Sequence, residues 1–146
     1  MIDDTDRKLL GLLEEDALQS YAALGEQLHL SAPAVHERVK KLRKNGVIKK
    51  TTIAIDGEKI GRGLLAFVHI DSEGWGKTEA LMELSDLPEV EEIHSVAGDT
   101  CMLLKVRAAD TKALENLLYH IYQLHGVKST RSYVVLNTYL EHGPRP

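Results

Sequence analysis

A chain of 146 residues with 43% hydrophobic and 27% charged side chains has the composition of a soluble globular protein of one or two domains. No apolar run approaches the ~20 residues that cross a bilayer, and the acidic N-terminus lacks the apolar core of a signal peptide, so we expect a cytoplasmic protein. The single cysteine, Cys101, excludes an intrachain disulfide and a cysteine-rich zinc site.

Charge divides the chain into two parts. Residues 1–63 carry a net charge of +1 and residues 64–146 a net charge of −5, which together give the −4 of the whole chain. The positive charge is concentrated between Val35 and Lys50, where seven lysines and arginines accompany a single acidic residue, Glu37. This asymmetry favours two modules with different partners.

The first module begins with two helical patterns. Leucine spacing between Ile2 and Leu13 predicts a helix with one broad apolar face, and aspartates stand at its start, where negative charge complements the helix dipole. Ser20 is an N-cap candidate for a second, shorter helix that reaches Leu28. The letters "HLS" that follow indicate a tight connection to the next helix.

A third, basic helix is predicted next. Ser31 is its N-cap candidate, and Pro33 falls in the first turn, where a missing N–H costs little. Val35, Val39 and Leu42 have i, i+4, i+7 spacing and form one apolar stripe. The residues that point away from this stripe or flank the outer face are Pro33, His36, Glu37, Lys40, Lys41 and Lys44.

The segment after the third helix completes a DNA-binding pattern. Asn45-Gly46 suits a left-handed helix end, and "VIKKTTIAID" (47–56) predicts a short strand pair, so the module is expected to be a winged helix-turn-helix. A basic helix face alone is often only a solvated surface, but this context favours phosphate contacts by the basic side chains and base reading by His36 and Glu37. Arg38 could reach a phosphate or pair with a carboxylate of the same domain. The candidate DNA-binding residues are Ser31, Pro33, His36, Glu37, Arg38, Lys40, Lys41, Lys44, Lys49 and Lys50.

The second module is predicted to be ferredoxin-like. Its elements are expected as strand 64–70, helix 77–87, strands 90–96 and 101–108, a helix capped by Asp110, and a long strand 127–141. The order βαββαβ places two helices on one face of an antiparallel sheet and leaves the other face open, which favours self-association. The expected organisation of this α+β protein is a DNA-binding domain at 1–55, a linker at 56–63 and an effector-binding and oligomerisation domain at 64–146.

Four blocks of the chain, in order, resemble the Lrp/AsnC family of "feast/famine" transcription regulators. They are "DDTDRKLLGLLEEDA" (3–17), "LSAPAVHERVKKLRKNGVIKK" (30–50), "VAGDTCMLLKV" (96–106) and "GVKSTRSYVVL" (126–136). The resemblance implies a sequence-specific DNA-binding regulator that dimerises through its second domain and assembles further, with an octamer expected. It also implies that a small molecule, commonly an amino acid, binds near the predicted β2–β3 turn. By this resemblance the effector-binding candidates are Gly98, Asp99, Thr100, Cys101, Thr130, Ser132 and Tyr133.

One position departs from the family. Many members carry an aspartate where this chain has Cys101, and a neutral thiol cannot pair with the ammonium group of a ligand. Cys101 is expected to be a small packing residue of the strand, with redox sensing as the alternative. Trp75 is expected to pack or to line an interface.

Other chemistry has little support in the sequence. His120 and His125 are five residues apart, which is a poor spacing for two metal ligands on one helix face, and no P-loop pattern is present, so neither a metal nor a cofactor is expected. Proteins similar to this family also act as sirohaem decarboxylases, which keeps an enzyme on the same architecture as an alternative. A purely structural assembly protein is a third possibility.

Overall fold

A computed structural model describes residues 1–73 and 79–146 of the chain. It divides into two compact units, one formed by Met1–Ala54 with Leu140–Pro146 and the other by Ile55–Tyr139. The expectation for Trp75 falls outside the described residues.

The first unit is a three-helix domain with capped helices. Its helices are α1 (Asp4–Glu15), α2 (Tyr21–Leu28) and α3 (Ala32–Lys44). The predicted caps are confirmed, because Ser20 accepts a hydrogen bond from the Ala23 amide and Ser31 accepts one from the Ala34 amide. The buried core of the unit consists of Leu9, Leu24, Val35, Val39 and Leu42.

The predicted strand pair after α3 is wrong. Residues 49–56 have no regular secondary structure, and the side chains of Ile53 and Ile55 are 76% and 62% exposed. A two-stranded ribbon with no apolar surface to pack against is marginally stable in water. The alternating β-branched residues of this segment therefore indicate strand propensity, but the segment does not pair with another strand.

The second unit is built on a four-stranded sheet. Its strands are β1 (Leu64–Ser72), β2 (Val90–Ser95), β3 (Met102–Ala108) and β4 (Val127–Val134), arranged in the order β2-β3-β1-β4. All neighbouring strands are antiparallel, and Val68 at the centre pairs with Leu104 of β3 and Ser132 of β4. The ferredoxin-like α+β arrangement is confirmed.

Two helical segments cover one face of this sheet. Helix α5 (Thr111–Tyr122) is capped by Asp110 as predicted and buries three side chains in the core. The helix predicted over 77–87 is only partly correct, because α4 (Glu79–Met82) is short and continues as a 3-10 turn over Glu83–Asp86. Residues 77 and 78 lie outside the described part of the chain. Leu81 and Leu84, one on each of these segments, are fully buried.

Strand β4 is shorter than the predicted strand 127–141. Its last residue is Val134, and the final hydrogen bond to β1 runs from the Val135 amide to the Leu65 carbonyl oxygen. Pairing ends there because β1 itself begins at Leu64, so the chain beyond has no strand to follow. Leu136 and Tyr139 are accordingly more than 90% exposed.

Candidate functional site

The basic face of α3 is held outward by its buried stripe. Val35, Val39 and Leu42 are at most 3% exposed, so the helix cannot rotate without losing its core contacts. On the other side, the side chains of His36 and Glu37 are 57% and 70% exposed. The sequence prediction of an inner and an outer face is therefore confirmed for this helix.

Five lysines form an exposed positive surface that we call the lysine patch. In the described part of the chain, no carboxylate forms an ion pair with any of them. Like charges this close in sequence repel one another, and an anion bound there would relieve the repulsion. The members of the lysine patch are Lys40, Lys41, Lys44, Lys49 and Lys50.

Arg38 has a different role from the lysines. One nitrogen of its guanidinium, Nη1, donates to the carboxylate of Asp3 at 2.9 Å and to that of Asp6 at 2.8 Å. This hydrogen bond from Arg38, with a further one from the Asp6 amide, lowers the pKa of the Asp3 carboxyl. Of the two roles left open by the sequence, the structure supports a carboxylate pair within the domain.

The connection between α2 and α3 depends on a glycine that sequence reasoning missed. A Cβ at Gly25 would lie 2.3 Å from the carbonyl oxygen of Leu30, and the Leu30 amide donates to the Gly25 carbonyl oxygen at 2.9 Å. His29, which ends α2, has a left-handed φ of 57°. A glycine inside a helical pattern was the available signal, because glycine lowers helix stability and its presence there often has a packing reason.

The β2–β3 turn brings together residues with different surroundings. Gly98 and Asp99 are exposed, whereas Thr100 is 8% exposed and its hydroxyl donates to the Ile70 carbonyl oxygen at 3.1 Å. Cys101 is half-buried, packs against the core of the second unit, and has its Sγ 3.9 Å from the carbonyl oxygen of Ser72. The expected packing role of Cys101 agrees with this position.

The three candidates on β4 do not share one face of the sheet. Thr130 and Ser132 pair with Ile70 and Val68, two buried residues on the helix-covered face, whereas Tyr133 alternates to the open face. Tyr133 makes an edge-to-face contact with His69 there, with ring centroids 5.0 Å apart. Within one chain the seven effector candidates therefore do not form a single surface.

An ion pair joins the turn to β4. Arg131 Nη1 lies 3.2 Å from the Asp99 carboxylate, and its Nη2 donates to the Asp99 carbonyl oxygen at 3.4 Å. The hydrogen bond from Arg131 lowers the pKa of Asp99. Both side chains remain accessible, at 83% exposure for Asp99 and 40% for Arg131. Sequence reasoning missed Arg131, although strand alternation between Thr130 and Ser132 could have placed it on the other face.

The open face of the sheet also carries charged pairs toward its β2 edge. Arg107 lies 2.6 Å from the Glu91 carboxylate, and Lys105 lies 3.5 Å from that of Glu92. Hydrogen bonding to His94 is the main reason that the pKa of Glu92 is lowered.

No group of three or more possible metal ligands occurs in residues 1–73 and 79–146, and none of the helices described there is long and apolar enough to span a bilayer.

Two family profiles match nearly the whole chain. The AsnC-type helix-turn-helix domain matches residues 2–43, and the Lrp/AsnC ligand binding domain matches residues 65–145. The chain is 33% identical over 140 residues to the HTH-type transcriptional regulator FL11 of Pyrococcus horikoshii, covering 96% of this chain and 93% of that protein.

Solved structures share the fold over their full length. The structure of E. coli AsnC has a TM-score of 0.93 at 28% identity and covers 100% of this chain and 99% of its own. A feast or famine regulatory protein from M. tuberculosis, solved in complex with L-methionine, has a TM-score of 0.91 at 35% identity and covers 100% of both chains.

Proposed function

Because the chain belongs to the Lrp/AsnC family of transcriptional regulators, we propose that it binds specific DNA sequences and that an amino acid changes its assembly or its DNA affinity. The DNA-binding proposal depends most on the lysine patch, an exposed set of cations with no ion pair to any carboxylate in residues 1–73 and 79–146. The opposite face of α3 is buried in the core. Lysines there would contact phosphates, and His36 and Glu37 would meet base edges.

The α3 face and the segment that follows it have different parts in this proposal. Ser31 and Pro33 begin the helix and place its first turn, while Lys49 and Lys50 extend the positive surface beyond its end. Arg38 is assigned to positioning α3 through its aspartate pairs and not to phosphate binding. The DNA contacts are therefore expected from the lysines and from the helix N-terminal residues.

The experiment that tests DNA binding is an enrichment of duplexes from a random library by the full-length chain. The enriched duplex is then compared with a scrambled duplex of the same composition by fluorescence anisotropy at several salt concentrations. Preference for the enriched duplex, with affinity that falls as salt rises, supports the proposal. If no duplex is enriched and salt has no effect, the proposal is wrong.

The purified full-length chain can also be tested for the enzyme alternative. A sirohaem decarboxylase-like protein would bind added sirohaem, which would change the visible absorption, and would then decarboxylate it. A DNA-binding regulator needs its basic surface free for DNA instead. FL11 of Pyrococcus horikoshii, a relative of this chain, is named a transcriptional regulator, which favours the second role.

The effector proposal rests on the Asp99–Arg131 pair and on the ligand of a relative. A free amino acid has one ammonium and one carboxylate group, and this pair presents one accessible charge of each sign at the β2–β3 turn. The M. tuberculosis protein with L-methionine shows the kind of ligand that a member of similar fold holds. We place the effector near Gly98, Asp99, Thr100 and Cys101, with Thr130, Ser132 and Tyr133 contributed by a neighbouring subunit.

The open sheet face is the proposed surface for dimerisation by a second copy. Phe67, Leu103 and Tyr133 lie on the face opposite the helices, and Tyr133 is 55% exposed. Aromatic and aliphatic side chains on an uncovered sheet face favour burial against a partner. Light scattering is expected to detect dimers and their further assembly, with an octamer as the largest closed form. A monomer at micromolar concentration would contradict this.

A further inference from the structure

The ring of Tyr21 contacts the ring of His36 across the α2–α3 connection. The two ring centroids are 5.4 Å apart and the ring planes are inclined at 46°. Tyr21 is the first residue of α2, and His36 is the fifth residue of α3. The pair therefore joins the start of one helix to the outward surface of the other.

This contact is not part of the hydrophobic core. Tyr21 is 37% exposed and the His36 side chain is 57% exposed, while the core of the unit is formed by other, buried residues. A contact at the surface contributes less to packing than a buried one, but it restricts the rotamers of both side chains. Its main consequence is the orientation of the His36 imidazole.

The orientation of an imidazole determines what it can recognise. A neutral imidazole presents one nitrogen as a donor and the other as an acceptor, and base edges are distinguished by their donor and acceptor patterns. In the same orientation that places its ring 5.4 Å from that of Tyr21, His36 has its Nδ1 3.9 Å from the Glu37 carboxylate. The neighbouring ring of Tyr21 restricts rotation of the imidazole and so favours the orientation that the structure shows.

We propose that Tyr21 is a positioning residue that holds His36 in the orientation needed to read a base. The inference rests on the proposed DNA-binding function. It adds a specificity role for a residue of α2, which lies outside the basic helix and carries no charge. Tyr21 is expected to affect the choice of sequence more than the overall affinity for DNA.

The test compares the enriched duplex with the scrambled duplex for variants of the full-length chain. Tyr21→Leu is expected to reduce the affinity ratio of the two duplexes by about threefold to tenfold, which corresponds to the usual strength of an aromatic pair. Tyr21→Phe keeps the ring and should keep the ratio. In a His36→Ala background, Tyr21→Leu should leave the ratio unchanged, because there is no imidazole left to position.

Controls separate positioning from folding and from a failure of the proposed function. Tyr119→Leu, an exposed tyrosine of the second unit, should not change the ratio, and Tyr21→Gln is a second variant without a ring. Circular dichroism establishes that each variant is folded. The inference is overturned if Tyr21→Phe loses as much as Tyr21→Leu, if Tyr21→Leu has no effect, or if its effect persists without His36. Failure of the wild-type chain to prefer any duplex would instead overturn the proposed function as well.

Discussion

Arg38 Nη1 lies 2.8 Å from the Asp6 carboxylate, and this contact ties α3 to the start of α1. Asp6 is 8% exposed and belongs to a capping box with Asp3, whose carboxylate also accepts from Arg38. The N-terminal cap of α1 and the position of α3 therefore depend on the same guanidinium group. The arrangement holds the basic face of α3 in place.

Removing this guanidinium should destabilise the first unit. Arg38→Met is expected to cost about 1–2 kcal/mol, because the nearly buried Asp6 carboxylate loses its cation while solvent screens part of the loss. Lys40→Met, on the outer face of the same helix, should change stability by less than about 0.5 kcal/mol. Hydrogen–deuterium exchange of the α1 and α3 amides measures the difference. Equal protection in the two variants would contradict the structural role of Arg38.

The same pair predicts how stability depends on acid. The pKa of Asp3 is below its ordinary value of 3.8 because Arg38, and then the Asp6 amide, donate to the carboxylate. Asp3 therefore contributes stability that is fully present above pH 3.8 and is lost as pH falls through the lowered folded pKa. Urea unfolding measures the free energy of unfolding near pH 5 and near pH 2.5. The decrease between these two pH values should be smaller for Arg38→Met than for wild type. Lys40→Met should retain the wild-type dependence, and identical losses in all three proteins would refute the prediction.

The lysine patch should control the salt dependence of DNA binding. Lys40→Ala or Lys44→Ala is expected to weaken binding to enriched and scrambled duplexes by similar factors. Each should reduce the slope of log affinity against log salt by about 0.9 if one phosphate contact is lost. Lys112→Ala, an exposed lysine of α5, is the matched control and should leave the slope unchanged. An unaltered slope in both patch variants would place the DNA-binding surface elsewhere.

The two glycines in helices of the first unit should respond in opposite ways to alanine. Gly25→Ala is expected to cost about 1–3 kcal/mol, because the new Cβ would meet the Leu30 carbonyl oxygen at 2.3 Å and force the turn apart. Gly11→Ala has only a side-chain atom at 3.9 Å and should be neutral or stabilising by up to about 1 kcal/mol. Urea unfolding followed by circular dichroism compares them. A Gly25→Ala protein as stable as wild type would show that the turn can relax.

Local interactions were predicted from the sequence more accurately than tertiary ones. The caps Ser20 and Ser31 bond to amides three residues away, so nearby residues are sufficient to identify them. The partners of Arg38 lie more than 30 residues earlier, and only the folded helix packing brings them within reach.

The β-structure shows the same limit. Strand β4 ends at Val134 because its partner strand β1 begins at Leu64 and offers no further residues to pair with. The residues after Val134 still have strand propensity. Residues 49–56 contain the β-branched Thr51, Thr52, Ile53 and Ile55, and they also form no strand. At the β2–β3 turn, the sequence identified the residues but not their directions, so the inward hydroxyl of Thr100 and the ion pair of Asp99 with Arg131 required the structure.

Gly98 lies in the β2–β3 turn, which we call the effector turn because we place the amino acid there. Gly98 has a φ of 156°, a backbone angle that residues other than glycine rarely adopt. A Cβ there would meet no atom within 4 Å. Valine at this position should strain the turn, displace Asp99 and block a ligand that approaches the backbone. We expect Gly98→Val to abolish any shift in melting temperature or oligomer distribution caused by L-methionine or another amino acid, while DNA binding without the amino acid is retained.

Gly61→Val is the matched control for this variant, because Gly61 also has a positive φ, 79°, and open space around it, but it lies outside the effector turn. Both valines should lower stability to a similar small extent, while only Gly98→Val should remove the ligand response.

The wild-type chain is first screened with the twenty amino acids by thermal shift and light scattering. A ligand must bind one state of assembly better than another to change it, so a response must appear in at least one of these measurements. If a responding amino acid is found and Gly98→Val responds like wild type, the effector does not bind at this turn. If none of the twenty produces a response, the amino-acid part of the proposed function is wrong, and the DNA-binding part, which depends on α3 and the lysine patch, is unaffected.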